Sequence, residues 1–250
     1  MTNARPATRS KLDKAGVPVV ILAGGTGIAM GPQGSVIPKT MVEVQGSPVL
    51  RHVMGHYAAA GFSRFIVCTG AGGALIRRYA ASALAGWDLQ IVDTGEASMT
   101  GSRLAQVRGL LQGGLFCLTY GDTVSDVDLD ALLDFHAAHG RTASLTAVHP
   151  QTRFRILGMV EDDDAIRGFA ARPILQKDYI NGGFYVFNAD VLSLEALKED
   201  PACVLENDVL EFLVRKRDLN AYRHGGFWQQ VDTERDRLRI EGFLAGPGRR

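Results

Sequence analysis

Neither sign of charge is in excess in this sequence: 27 lysines and arginines stand against 27 aspartates and glutamates. Without a basic surplus there is no electrostatic footprint for duplex DNA or RNA, so no nucleic-acid partner is expected. No apolar run approaches the roughly 20 residues that span a bilayer, so no membrane partner is expected either. The opening MTNARPATRSKLDKAG is polar and lacks the apolar centre of a signal peptide, and residues 1–16 read as a disordered arm. Cysteines number three, Cys68, Cys117 and Cys203, and they lack the paired spacing of a zinc site. Cys68 and Cys117 fall in apolar runs and read as buried thiols in a reducing compartment, which makes the cytoplasm the expected location. His52 and His56 are spaced i, i+4, and His136 and His139 i, i+3, without the glutamate of H-E-x-x-H. Both pairs read as ordinary helix residues. No Ser-His-Asp or Cys-His arrangement is signalled.

What is present is alternation. A chain of 250 residues can bury a full core. VVILA (19–23), RFIVCTG (64–70), LQIVDTG (89–95) and LFCLTYGD (115–122) read as strands. Between and after them, 47–61, 74–84, 101–111 and 129–140 have helical spacing. Such alternation implies a parallel sheet with right-handed crossovers, and strands without polar alternation imply cover on both faces. The second half changes character. Segments 142–150, 156–161, 165–170 and 180–191 look like strands joined by links too short for crossover helices, so some are antiparallel. Helices follow at 204–218 and 235–246, around a strand-and-loop stretch at 219–233. The fold class is α/β: a Rossmann-like, mixed but mainly parallel sheet flanked by helices, with a smaller β-rich part. It forms a single domain over 17–246, divided into halves 17–140 and 141–246.

Ligands of open α/β sheets bind beyond the carboxyl ends of the strands. Three such ends are polar and carry glycine: Gly24-Gly25, Asp93-Thr94-Gly95 and Tyr120-Gly121-Asp122. Glycines at 24, 25 and 27 let backbone N–H groups approach an anion. The loop is neither a Walker loop, since no G-K-[ST] follows, nor G-x-G-x-x-G, since Gly31 falls too late. Lys39 follows Pro38 in I-P-K-T-M, either as a solvated lysine or as one presented to phosphate. Asp122 closes an apolar strand, as a turn cap or as a hard-metal ligand. Asp232, in F-W-Q-Q-V-D-T, is the second carboxylate that could share one Mg²⁺ with it.

With these residues in view, the chain resembles the sugar-1-phosphate nucleotidylyltransferases, and more narrowly the glucose-1-phosphate cytidylyltransferases. The resemblance covers residues 17–245 and is carried by VVILAGG, PKTMVEVQGSPVLRHVM, VDTGEASMTGSRL, LTYGDTVSDVDL, INGGFYVFN and HGGFWQQVDTERDRL. It implies that the phosphate of a sugar 1-phosphate attacks the α-phosphorus of CTP, or of another NTP, with Mg²⁺ assisting and pyrophosphate leaving. It also implies that 17–140 is the nucleotide-binding half and 141–246 the sugar-phosphate-binding half.

Residue by residue, the resemblance lays the nucleotide along Leu22, Ala23, Gly24, Gly25, Gly27, Thr100, Gly101, Tyr120 and Gly121. It gives catalytic roles to Lys39, Arg103 and Asp122, and metal binding to Asp122 and Asp232. Arg172, Asn181, Gly182, Glu206 and Asp208 fall near the sugar. Ile28 and Ala29 stand where the family loop L-A-G-G-x-G-T-R has threonine and arginine. Phe169-Ala170-Ala171-Arg172-Pro173 stands where it has F-x-E-K-P, and Arg155 stands in place of a glycine. The segment after the second helix is short, which leaves homo-oligomerisation open.

Overall fold

The computed structural model describes residues 12–27, 35–111, 113–149, 156–160, 163–170 and 178–246. In chain order the elements are β1 (Pro18–Ala23), the short pair β2 (Glu43–Val44) and β3 (Ser47–Pro48), α1 (Val49–Ala59), β4 (Arg64–Thr69), α2 (Gly73–Ala83) and β5 (Asp88–Asp93). Next come α3 (Thr100–Gln106), β6 (Leu115–Tyr120), β7 (Thr123–Ser125), α4 (Leu129–His139) and β8 (Ala143–Val148). A hairpin of β9 (Ile156–Val160) and β10 (Asp163–Ala170) precedes β11 (Ile180–Asn181) and β12 (Tyr185–Asn188). A π-helical turn, Leu205–Leu210, runs into α5 (Glu211–Arg215), and β13 (Leu219–His224), β14 (Trp228–Gln230) and α6 (Glu234–Leu244) close the chain.

The main sheet has eight strands in the order β11-β8-β12-β6-β1-β4-β5, with β13 beside β8. β5, β4, β1 and β6 are parallel neighbours, and only β11 and β12 run against the rest. This is the mixed, mainly parallel sheet expected. Alternate residues of β1 explain its unbroken apolar run. Val19, Ile21 and Ala23 pack with α1, α2, α4 and α6, while Val20 and Leu22 pack with α3, the π turn and α5. A strand covered on both faces gains nothing from polar alternation. β5 departs from that pattern, because it is the edge strand and is only half buried.

Three expectations need correction. Residues 14–16, assigned to a disordered arm, form a 3₁₀ turn in which Asp13 accepts from the Ala15 N–H and Lys14 Nζ lies 2.6 Å from Asp130. Segment 180–191 is not one even strand. Its register against β8 slips between Asn181 and Val186, where Gly183 and Phe184 take φ of +72° and +47°. The Thr146 side chain fixes this bulge by donating to the Phe184 carbonyl at 3.0 Å. Segment 204–218, expected as one amphipathic helix, opens with the wider π turn before α5 begins.

Candidate active site

Because β6, β1, β4 and β5 are parallel neighbours, their carboxyl ends lie side by side, as the three glycine-bearing termini suggested. Arg103, on α3, joins three of them, those of β1, β4 and β5. Its side chain donates to the Thr69 carbonyl at 2.9 Å, to Thr94 Oγ1 at 2.6 Å and to the Gly24 carbonyl at 2.9 Å. The residue is only 4% exposed, and burial lowers its pKa from the usual arginine value. Gly24 makes room for it: a Cβ there would sit 2.0 Å from Arg103 Cζ. Gly27 turns the loop in the left-handed region, at φ +88°, where a Cβ would strike the Ile37 carbonyl at 2.3 Å.

On the other side of β1, the Gly121 N–H donates to the Leu22 carbonyl at 2.9 Å, which seats Asp122 at the end of the sheet. β7 and β14 pair antiparallel directly after it, and the Val231 N–H donates to the Asp122 carbonyl at 3.0 Å. That pairing carries Asp232 back to Asp122. The 3₁₀ turn Lys39–Met41, entered from an extended Pro38, brings the lysine to both. Lys39 Nζ lies 2.5 Å from Asp232 Oδ1 and 4.0 Å from Asp122 Oδ2. Burial raises the Asp122 pKa, and it is opposed in turn by Lys39 and by the Gln230 amide, which donates to Oδ2 at 3.2 Å.

These carboxylates come from distant parts of the chain and already gather around one positive charge. Their hard oxygen donors suit Mg²⁺, which takes one or two protein carboxylates and fills its octahedron with water and phosphate. Among the described residues no group of three or more histidine, cysteine, aspartate or glutamate side chains is gathered as a metal site would gather them.

A second polar chain runs beside this centre. Thr100 Oγ1 donates to Glu206 at 2.8 Å, and the Tyr120 hydroxyl bonds the other carboxylate oxygen of Glu206. Tyr120 and Tyr185 hydroxyls are 3.0 Å apart, and Asn181 Nδ2 donates to Tyr185 at 2.5 Å. Residues expected near the nucleotide and near the sugar are thus joined in one network. Asp208 is not part of it: its side chain accepts from the Val204 N–H at 2.7 Å and caps the π turn. Gly182 packs against Trp228, whose indole donates to the Gly182 carbonyl at 2.8 Å.

Sequence reasoning missed Tyr185, Gln230 and Asp236. Tyr185 is marked only by a hydroxyl in the apolar run F-Y-V-F. Replacing it with phenylalanine strands Asn181 Nδ2 and one bond of Tyr120, so Tyr185→Phe should cost about 1–2 kcal/mol in urea unfolding. Asp236 had a legible signal. T-E-R-D forms a capping box on α6, and its carboxylate also accepts from the N–H groups of Asp232 (3.2 Å) and Thr233 (2.9 Å). Asp236 therefore holds the backbone that presents Asp232.

Both histidine pairs lie on helices, the first on α1 and the second on α4. His52 and His56 each bond a backbone carbonyl, those of Val44 and Val127, and His136 and His139 both reach Ser144 Oγ. All three cysteines are free and buried. Arg172, Arg155, Ile28 and Ala29 lie outside the described residues. Among those described, no helix is long and apolar enough to cross a membrane.

A Rossmann-like sheet that gathers two carboxylates, a lysine and a glycine loop beyond its strand ends has the makings of a nucleotide-phosphate site. The family model for nucleotidyl transferases matches residues 18–242, and the chain belongs to that family. Glucose-1-phosphate cytidylyltransferase of Salmonella typhi is 37% identical over 247 residues, covering 90% of this chain and 94% of the relative. The Salmonella typhimurium enzyme of the same name matches to the same extent. Among solved structures, HddC from Yersinia pseudotuberculosis superposes with a TM-score of 0.66 at 18% identity, over 91% of this chain and 99% of its own.

Proposed function

We propose that this nucleotidyltransferase joins a sugar 1-phosphate to CTP. A phosphate oxygen of the sugar 1-phosphate attacks the α-phosphorus of CTP. A new P–O–P linkage forms, the bond to the β-phosphate bridge breaks, and pyrophosphate leaves. The observation that carries the reading is the meeting of Lys39, Asp122 and Asp232 at the end of the parallel strands. Mg²⁺ bound to Asp122 and Asp232 would supply positive charge where the phosphates gather.

The chain's own residues account for the rest. Lys39 offers a mobile ammonium to phosphate. The loop through Leu22, Ala23, Gly24, Gly25 and Gly27 presents backbone close to the nucleotide. Thr100, Gly101, Tyr120 and Gly121 line its other side. Arg103 fixes that loop by holding the Gly24 carbonyl. Asn181, Gly182 and Glu206 face the sugar, with Arg172 as a further cation for its phosphate, and Asp208 supports Glu206 by capping the turn that carries it. Three free, buried cysteines suit a reducing cytoplasm.

The test is pyrophosphate release with CTP, UTP, GTP and dTTP, each against a panel of sugar 1-phosphates beginning with glucose 1-phosphate. Mg²⁺-dependent release is expected with CTP in preference to the other nucleotides. Absence of release with every pair would sink the reading.

A further inference from the structure

The position of Lys39 says more than that a lysine is near phosphate. Asp122 and Asp232 converge, and two carboxylates brought together without a cation repel each other. Lys39 Nζ lies 2.5 Å from Asp232 and 4.0 Å from Asp122, so in the free protein it is a counter-ion to both. Its side chain is still 30% exposed, and it hangs from a short 3₁₀ turn on a flexible four-carbon stem. It can leave the aspartates without any movement of the sheet.

We propose that Lys39 is an exchangeable counter-ion: it holds the metal-binding aspartates in the free enzyme and passes to the substrate's phosphates when a divalent cation takes its place. This rests on the reading of Asp122 and Asp232 as metal ligands. A divalent cation entering alone must displace an ammonium that then exchanges a carboxylate for solvent. Entering with a nucleoside triphosphate, it arrives with the anion that Lys39 needs. Metal and nucleotide therefore favour each other's binding through one side chain, and such coupling is reciprocal.

The experiment measures Mn²⁺ binding to the nucleotide-free protein by electron paramagnetic resonance at neutral pH, for wild type, Lys39→Met, Lys39→Gln and Lys39→Arg. Wild type and Lys39→Arg should bind Mn²⁺ weakly. Lys39→Met and Lys39→Gln should bind it about tenfold more tightly or better, because the competing cation is gone. The same two variants should bind CTP, measured by calorimetry without metal, more weakly than wild type. A lysine that only braced the fold would give the opposite sign for Mn²⁺, since unbraced carboxylates would separate. Lys39→Gln serves if Lys39→Met does not fold. Mn²⁺ affinity in these variants equal to or below wild type overturns the proposal. Asp122→Asn, made beside them, separates the two claims. If it removes Mn²⁺ binding while Lys39 variants change nothing, the metal site stands and the exchange falls. If it too leaves Mn²⁺ binding unchanged, the metal reading fails and takes the exchange with it.

Discussion

Asp122→Asn should fold as the parent does and release pyrophosphate about a thousandfold more slowly. The substitution preserves shape. The backbone of residue 122 keeps its bond from the Val231 N–H, which does not depend on the side chain. The carboxylate is largely buried, and burial acts against its charged form, so a neutral amide should cost little stability at neutral pH. The chemistry is a different matter. An amide brings no negative charge to a divalent cation, and it offers one oxygen where the carboxylate offers two. Gln230 then faces either that one oxygen or a second N–H donor, and Lys39 loses an anionic neighbour. Thermal unfolding within a few degrees of the parent, alongside the kinetic loss, is the expected pair of results. Turnover within tenfold of wild type would remove Asp122 from the site.

The sequence made the sheet legible because β1, β4 and β6 are fully covered strands, and a covered strand writes itself as an unbroken apolar run. The strand ends were legible for a related reason: glycine and aspartate after such a run have few structural explanations. What stayed hidden depends on pairing across long separations. Gln230 reaches Asp122 only because β14 pairs with β7, two short strands more than a hundred residues apart in the chain. Nothing in Q-Q-V-D announces that contact. The bulge at Gly183 and Phe184 was equally silent, since the neighbouring strand and the Thr146 side chain impose it. Asp236, by contrast, wrote a capping box into T-E-R-D, and its second task, steadying Asp232, follows from the same carboxylate.

Arg103 gives the largest expected effect on stability. The resemblance implies a catalytic role for it. In the fold its donors go to the Thr69 carbonyl, Thr94 Oγ1 and the Gly24 carbonyl, so it staples three neighbouring strand ends. Arg103→Met fills similar space but leaves those buried acceptors without a charged donor. Hydrogen bonds to charged groups contribute about 1.5–3 kcal/mol each, and stranded partners add their desolvation, so a loss of about 3–5 kcal/mol is expected. For a chain of this length that is a fall in melting temperature of about 10 °C. Arg103→Lys should recover less than half of it, because one ammonium cannot reproduce a planar fork that serves acceptors on three strand ends. Gly24→Ala should act on the same contact from the other side, since its new Cβ would fall 2.0 Å from Arg103 Cζ. The two lesions share one contact, so their combination should cost clearly less than the sum of the single losses. A parent-like melting temperature for Arg103→Met would show that the guanidinium is not needed by the strand ends, and would return it to the substrate. Additive losses in the double variant would separate the glycine loop from the arginine.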